Sequence, residues 1–218
     1  MNWIASESER VGAATDVLVA VVAIVCAWRA HLMGRRQRFK ARVWMSVFGL
    51  LAISAFLGSV SHALVLPDAI QDALWRPIYF ALGITVALFV VGVIHDAWDE
   101  TIARRWLGIM IGLGIAFYLV RTIISGSFLV FILYESAAML FALGMYAMLA
   151  LRRRAPGALQ CSIGILFSLI AAALQATARA RIECVWTFDH NALFHVIQLP
   201  GLAFLSAGIG MSFDAHGT

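Results

Sequence analysis

Residues 77–94 have the sequence PIYFALGITVALFVVGVI and contain no charged side chain. A helix needs roughly 20 residues to cross about 30 Å of hydrocarbon, because each residue rises about 1.5 Å. Only a helix or a closed barrel can pair all of its backbone polar groups inside lipid. This run therefore predicts a membrane-spanning helix. The whole chain has the same character, since 62% of its 218 residues are hydrophobic, only 13% are charged and the mean hydropathy is +0.90.

Seven apolar stretches of this kind follow one another, separated by short connectors that contain Gly, Pro or charged residues. We predict an all-α integral membrane protein with seven transmembrane helices, forming a single domain over residues 1–218. The predicted helices lie near residues 11–31, 42–65, 74–94, 104–124, 127–150, 157–179 and 190–213.

Basic residues in the connectors predict the orientation of the bundle. The first connector, GRRQRFKAR at residues 34–42, and the fifth, with Arg152, Arg153 and Arg154, lie on the same side when seven helices alternate. Lys and Arg concentrate in cytoplasmic loops. We therefore expect an integral protein of a bacterial inner membrane, with its N-terminus outside and its C-terminus in the cytoplasm. Because the basic clusters are explained by topology, we expect no nucleic-acid partner.

The lysine and cysteine content excludes other classes of protein. Lys40 is the only lysine and lies in the first connector, whereas a retinal Schiff base needs a lysine inside a helix. Cys26, Cys161 and Cys184 have no CxxC spacing, so neither a disulfide framework nor a cysteine metal site is indicated.

Several polar side chains lie inside the apolar stretches, mostly in the half of each helix that is predicted to be outer. An ionisable group inside the hydrocarbon layer is costly, so each one is a candidate for function or for a buried polar pair. The candidates are Asp16, Ser59, His62, Arg76, Arg121, Glu135, Gln175, Arg179, Asn191, His195 and Gln198.

The spacing of these residues predicts which of them share a helix face. Asn191, His195 and Gln198 are four and three residues apart, so they form a polar stripe along helix 7. Ser59 and His62 likewise share a face on helix 2, so the histidines of the two helices are expected to approach each other. On helix 1, Glu9 stacks with Asp16 if the helix begins early enough.

Each group also has a purely structural interpretation. The two histidines could be interhelical hydrogen-bonding groups as well as ligands. For Asp16 and Glu135, the favoured interpretation is an ion pair with Arg121, Arg76 or Arg179. We expect His95 and Asp96 in a solvated loop.

The seven-helix topology, the sequence GSVSHAL (residues 58–64) and the sequence NALFH (residues 191–195) resemble the CREST superfamily. That superfamily includes alkaline ceramidases, the adiponectin and progestin receptors, and hemolysin III-like proteins. The resemblance covers the whole predicted topology. It implies a zinc ion held by one His on helix 2 and a His pair on helix 7, a nearby Ser and Asp, and hydrolysis of lipid amide bonds.

Two positions depart from that pattern. Asn191 replaces the first histidine of the helix 7 pair, and Gly58 lies where a hydroxyl is expected, so that the hydroxyl moves to Ser59 or Ser61. The metal ligands implied by the resemblance are therefore His62, His195 and Asn191.

A carboxylate could complete a two-histidine zinc site and leave water in an open position, as catalytic zinc requires. Asp16, Asp72 and Glu135 are the candidates, with Asp72 placed in an outer loop. In the implied mechanism Ser59 orients water or the oxyanion, and Asp16 or Asp72 is the base.

Three functional hypotheses follow. The first is a zinc-dependent membrane hydrolase of lipid amide or ester bonds, and the second is a non-catalytic receptor-like protein or accessory subunit of a larger membrane complex. The third and least favoured is a haem protein with two His ligands. The expected partners are membrane lipids and a protein in the same membrane. Gly108 and Gly112 permit close helix contact, Pro77 is placed at a helix start, and Pro200 is expected to kink helix 7.

Overall fold

The computed structural model describes residues 4–34, 37–123, 128–177 and 179–214. Within this part of the chain there are seven long helices, each apolar enough to span a membrane. Their bounds are α1 Glu7–Met33, α2 Arg38–Ala63, α3 Asp68–Ala97, α4 Glu100–Ile123, α5 Leu129–Arg152, α6 Ala158–Ala176 and α7 His190–Asp214. The prediction of seven such helices is confirmed. We call the end of the bundle where α1 begins the N-terminal end, and the other the opposite end.

Local sequence explains where the helices begin and end. Ser6 caps α1, since its Oγ accepts a hydrogen bond from the Glu9 amide at 3.4 Å, and Glu9 itself lies in the acidic first turn. Gly157 has a φ of 79°, a left-handed conformation that glycine adopts without strain, and α6 starts at the next residue.

The largest difference from the predicted boundaries is at α3. It begins at Asp68 rather than near residue 74, because Pro67 supplies a suitable N-cap conformation. Asp72 consequently lies on a helix and not in a loop, and Pro77 lies inside the helix rather than at its start. Pro200 lies inside α7, as expected.

A short hairpin lies in the connector between α6 and α7, and α6 itself ends at Ala176 rather than near residue 179. Strand β1 (Ile182–Glu183) pairs antiparallel with β2 (Thr187–Phe188). The hairpin packs near α1, because the Thr187 amide donates to Glu7 Oε1 at 3.2 Å. Asp189 then starts α7 by accepting a hydrogen bond from the Ala192 amide at 2.9 Å.

Six of the described helices form a closed ring in the order α1, α2, α3, α5, α6, α7, with α7 returning to α1. Helix α4 lies outside this ring and packs mainly on α3. Glycines permit the closest approaches: a Cβ at Gly83 would lie 2.8 Å from the Gly114 carbonyl oxygen, and one at Gly164 would lie 2.6 Å from that of Gly201.

The close helix contact that Gly108 and Gly112 would permit is not made among the described residues. A Cβ added at either position meets nothing within 4 Å. Helix α4 instead approaches α3 through Gly114, which lies directly against Gly83 of α3.

A buried ion pair ties helices together at the opposite end of the bundle. Lys40 Nζ lies 2.7 Å from Asp96 Oδ1, and these two side chains are only 1% and 7% exposed. Tyr146 donates to Asp96 Oδ2 at 2.8 Å, and Lys40 donates to Ser212 Oγ at 2.6 Å. Four helices (α2, α3, α5 and α7) therefore meet at this pair. The expectation of a solvated loop was wrong for Asp96, and Lys40 lies on α2 rather than in a connector.

Candidate functional site

A cavity of about 580 Å³ lies inside the ring of six helices. Its wall is largely apolar and aromatic, with Val19, Phe48, Phe89 and Leu202 among its lining residues. Polar side chains from α1, α2, α3, α5, α6 and α7 also face it, and Arg121 reaches it from α4. Concave sites of this size with a few polar groups in an apolar wall are typical of small-molecule binding sites.

The first polar group in the cavity is formed by His195 on α7 and two residues of α1. The Thr15 hydroxyl donates to the Gly12 carbonyl oxygen at 2.8 Å, so its oxygen accepts the Nδ1–H of His195 at 3.1 Å. His195 Nε2 then faces Asp16 Oδ1 at 3.2 Å.

One proton must lie between these last two atoms, since an unprotonated ring nitrogen would repel a carboxylate. The pair is therefore either imidazolium with carboxylate or imidazole with carboxylic acid. Such a pair can donate a hydrogen bond to a ligand or exchange a proton with it.

Gly58 on α2 makes room for the Asp16 carboxyl group. A Cβ at this position would lie 3.1 Å from Asp16 Oδ2, which is tighter than ordinary packing. Position 58, where the resemblance implies a hydroxyl residue, therefore has a glycine with the Asp16 carboxyl group packed against it.

The second polar group lies closer to the N-terminal end. His62 Nδ1 contacts Glu9 Oε2 at 2.6 Å, and its ring packs edge-on against Trp75 with centroids 6.0 Å apart. Helix α1 begins early enough to carry both Glu9 and Asp16, but each pairs with a different histidine. His62 and His195 both line the cavity.

A third polar group joins α6 to α7. Gln175 Nε2 donates to Asn191 Oδ1 at 3.0 Å, and both residues line the cavity. The other Gln175 atom, Oε1, is buried and has no hydrogen-bond partner among the described residues. The predicted polar stripe of Asn191, His195 and Gln198 thus faces the cavity along its whole length.

Glu135 on α5 does not form the predicted ion pair with an arginine among the described residues. The side chain lines the cavity, and among the described residues its Oε2 has no hydrogen-bond partner. Arg121 donates to the Tyr79 hydroxyl at 3.2 Å, and its guanidinium lies 4.3 Å from the centre of that ring. In the described chain the ion-pairing partner of Asp16 is His195, and Glu135 forms no ion pair. The predicted pairing of these carboxylates with arginine was therefore wrong.

Two of the predicted catalytic residues do not reach the cavity. Ser59 is buried but donates its hydroxyl proton to the Phe56 carbonyl oxygen at 2.7 Å, and it is absent from the lining. Asp72 is exposed on α3. Asp16 is the only one of the three predicted catalytic residues that lines the cavity.

The side chains as placed do not fit a zinc ion. Both ring nitrogens of His195 are engaged, His62 Nδ1 contacts Glu9, and Asn191 Oδ1 accepts from Gln175. In the described part of the chain, no group of three His, Cys, Asp or Glu side chains could hold a metal ion. A haem fits no better, because His195 offers no free nitrogen. Both cofactors stay predictions.

Three residues of the site were not recognised from the sequence: Thr85 and Trp75 line the cavity, and Thr15 contacts the His195 ring that lines it. Thr15 adjoins Asp16, and its position one residue before a buried carboxylate was a usable signal. Thr85 is a hydroxyl residue inside the apolar run of residues 77–94, and it also lines the cavity. Trp75 lies close to the predicted helix end, where an interfacial role would explain it equally well.

The fold and this cavity define a class: a multi-pass α-helical protein whose seven apolar helices indicate an integral membrane protein. Within that class, the chain belongs to a family of unknown function (DUF6962), whose family model matches residues 11–212. Comparison with curated proteins and with solved structures finds no match.

Proposed function

We propose that this protein binds an amphipathic, lipid-like small molecule in the cavity enclosed by its ring of six helices. The observation that supports this most is the composition of the wall, where aliphatic and aromatic side chains surround separate polar groups on α1, α2, α5, α6 and α7. An apolar tail would replace water along the wall, and a polar head would hydrogen-bond to the buried polar groups.

The apolar part of the site lies deeper than the paired histidines. Phe48, Phe89 and Leu205 line the cavity and belong to the main hydrophobic core. Burying apolar surface is worth about 25 cal/mol per Å², so a hydrocarbon chain gains affinity in proportion to the length that this part admits. Such a receptor-like role depends on binding alone and needs no catalysed reaction.

Filling the cavity tests the proposal. Ala55→Phe and Leu82→Trp add bulk at two lining positions, whereas Ala14→Phe adds bulk at an exposed position of α1. The protein is purified in mild detergent, and retained amphiphiles are detected by native mass spectrometry. We expect wild type and Ala14→Phe to carry a bound molecule and both filling variants to lose it. Equal retention by all four proteins would refute an internal site.

We also propose that the N-terminal end of the bundle faces outward from a bacterial inner membrane. Arg38, Arg42 and Arg152 lie at the opposite end, and such residues concentrate on the cytoplasmic side. Cys184 lies exposed in the hairpin at the N-terminal end, whereas Cys26 and Cys161 are buried. A membrane-impermeant maleimide should therefore label spheroplasts carrying wild type and not Cys184→Ser. If labelling requires permeabilisation of the membrane, the N-terminal end faces the cytoplasm and the proposed orientation is wrong.

The second candidate function is a hydrolase of lipid amide or ester bonds. It is favoured by one observation, that Asp16, His62 and His195 all line the same cavity, and by the resemblance to the CREST superfamily. The Asp16–His195 pair would take the proton from an attacking water. Release of fatty acid from a lipid amide by wild type and not by His195→Ala supports it. No release by either protein rejects it.

Zinc and haem are measured on the same purified sample by elemental analysis and by visible absorbance. A zinc content near one equivalent that falls on changing His195 to Ala would support the predicted metal. A Soret band would support haem. Co-purification in mild detergent tests for the predicted protein partner.

A further inference from the structure

We propose that the polar head of the bound molecule is an ammonium group held by Glu135, an inference that rests on the proposed binding function and specifies its ligand. The ligand class is a long-chain amine, primary or substituted. Three buried oxygen atoms that have no hydrogen-bond partner among the described residues carry the inference.

These three oxygens belong to three helices of the ring. Glu135 Oε2 on α5, Gln175 Oε1 on α6 and Thr85 Oγ1 on α3 are buried and have no hydrogen-bond partner in the described chain. All three residues line the cavity and are more than nine-tenths buried, with Glu135 only 7% exposed. Buried polar atoms nearly always have partners, so such a group at a cavity points to a missing one.

The chemistry of the three atoms selects the missing partner. An amide oxygen is only an acceptor, an ionised carboxylate is only an acceptor, and a hydroxyl can be either. A ligand that satisfies Gln175 Oε1 and an ionised Glu135 must therefore donate hydrogen bonds, and the Thr85 hydroxyl can accept one as well. An ammonium group donates hydrogen bonds, and its positive charge also compensates a buried carboxylate. None of the described side chains provides such a charge to Glu135 by ion pairing.

Aromatic rings in the wall of the same cavity suit the same ligand. Trp75, Tyr79 and Phe131 line the cavity, and a ring face attracts a cation within about 6 Å. This wall already accepts one cation, since the Arg121 guanidinium lies 4.3 Å from the centre of the Tyr79 ring. Arg121 makes a carboxylate head the competing chemistry, so the experiment must include one.

Three probes with the same tail separate these possibilities: dodecylamine, dodecanol and dodecanoate. Purified protein in phosphatidylcholine nanodiscs is titrated with each probe, and affinity is read from tryptophan fluorescence and from the midpoint of thermal unfolding. We expect wild type to bind dodecylamine at least about tenfold more tightly than dodecanol, as a charge-assisted hydrogen bond provides. Glu135→Gln should lower the affinity for the amine to that for the alcohol.

Matched variants keep the test independent of folding. Asp72→Asn removes an exposed carboxylate from α3 and should leave the preference for the amine unchanged. Glu135→Asp should keep part of that preference. Gln175→Leu removes one acceptor at a separate position and should weaken binding of the amine more than binding of the alcohol. This variant provides the test if Glu135→Gln does not fold.

The outcomes distinguish this inference from the proposed function. Equal affinity for amine and alcohol, tighter binding of dodecanoate, or a preference that survives in Glu135→Gln would overturn the ammonium assignment and leave an internal binding site. If none of the three probes binds wild type, the proposed binding function fails, and the ammonium assignment fails with it.

Discussion

Replacing Lys40 with methionine tests the buried ion pair at the opposite end of the bundle. The change keeps an unbranched apolar stem and removes the ammonium that lies 2.7 Å from Asp96 Oδ1. Asp96 keeps its hydrogen bond from Tyr146 and its contact with His95, whose Nδ1 lies 3.4 Å from Asp96 Oδ1, but its carboxylate, only 7% exposed, loses the ammonium of Lys40. Removing one partner of a buried pair costs about 3–5 kcal/mol, because the remaining charge stays buried without that partner. We expect the free energy of unfolding to fall by about that amount.

Removing both charges of the pair should cost less stability than removing the ammonium alone. Lys40→Met with Asp96→Leu leaves no charge to compensate, and replacing a buried pair by apolar residues is often neutral. The double variant should therefore be more stable than Lys40→Met alone. A large coupling energy between two neighbouring positions is the expected form of this non-additivity.

Reversible unfolding by sodium dodecyl sulfate in mixed micelles, followed by tryptophan fluorescence, measures these free energies. Arg104→Met is the control, because Arg104 pairs with Glu100 one helical turn away at the surface, with 57% and 46% of the two side chains exposed. Such a pair contributes about 0.3–0.5 kcal/mol. If Lys40→Met costs no more than Arg104→Met, or if the double variant costs the sum of both single changes, the buried pair does not have the role described.

Two further changes test the packing around glycines. Gly58→Val places bulk against the Asp16 carboxyl group and should weaken ligand binding about tenfold. Gly49→Val, on the same helix, meets open space and should leave binding unchanged. Unchanged binding in Gly58→Val would contradict the position of Asp16. Gly164→Ala brings a Cβ to 2.6 Å from a backbone oxygen of α7 and should cost about 1–3 kcal/mol of unfolding free energy. Gly112→Ala on α4 has no neighbour within 4 Å and should cost nothing, so equal stability of these two variants would contradict the described contact between α6 and α7.

Part of the candidate site was predictable because it depends on one helix at a time. Asn191, His195 and Gln198 repeat at helical spacing, so the sequence predicted that they share a face, and all three line the cavity. The partners were not predictable in the same way. Asp16 was expected beside arginine and lies beside His195, because which residues meet depends on the rotation and depth of two separate helices.

Some of the site residues that the resemblance implied line the cavity, and others do not. Asp16, His62, His195 and Asn191 all line the cavity, whereas Ser59 turns its hydroxyl to its own helix and Asp72 lies on an exposed face. Asp72 could not be placed correctly without knowing that α3 begins at Asp68.

The number of helices, their approximate limits and the polar face of α7 follow from the order of residues along the chain, since hydropathy and spacing are properties of a continuous segment. Packing of the helices against one another shows that six of them enclose a cavity while α4 lies outside, and that Lys40 on α2 meets Asp96 on the neighbouring α3. In lipid most of each helix surface is apolar, so hydropathy does not distinguish one neighbouring helix from another. Close contacts between glycines and the pairing of a few buried polar groups make that choice, and both depend on residues far apart in the chain.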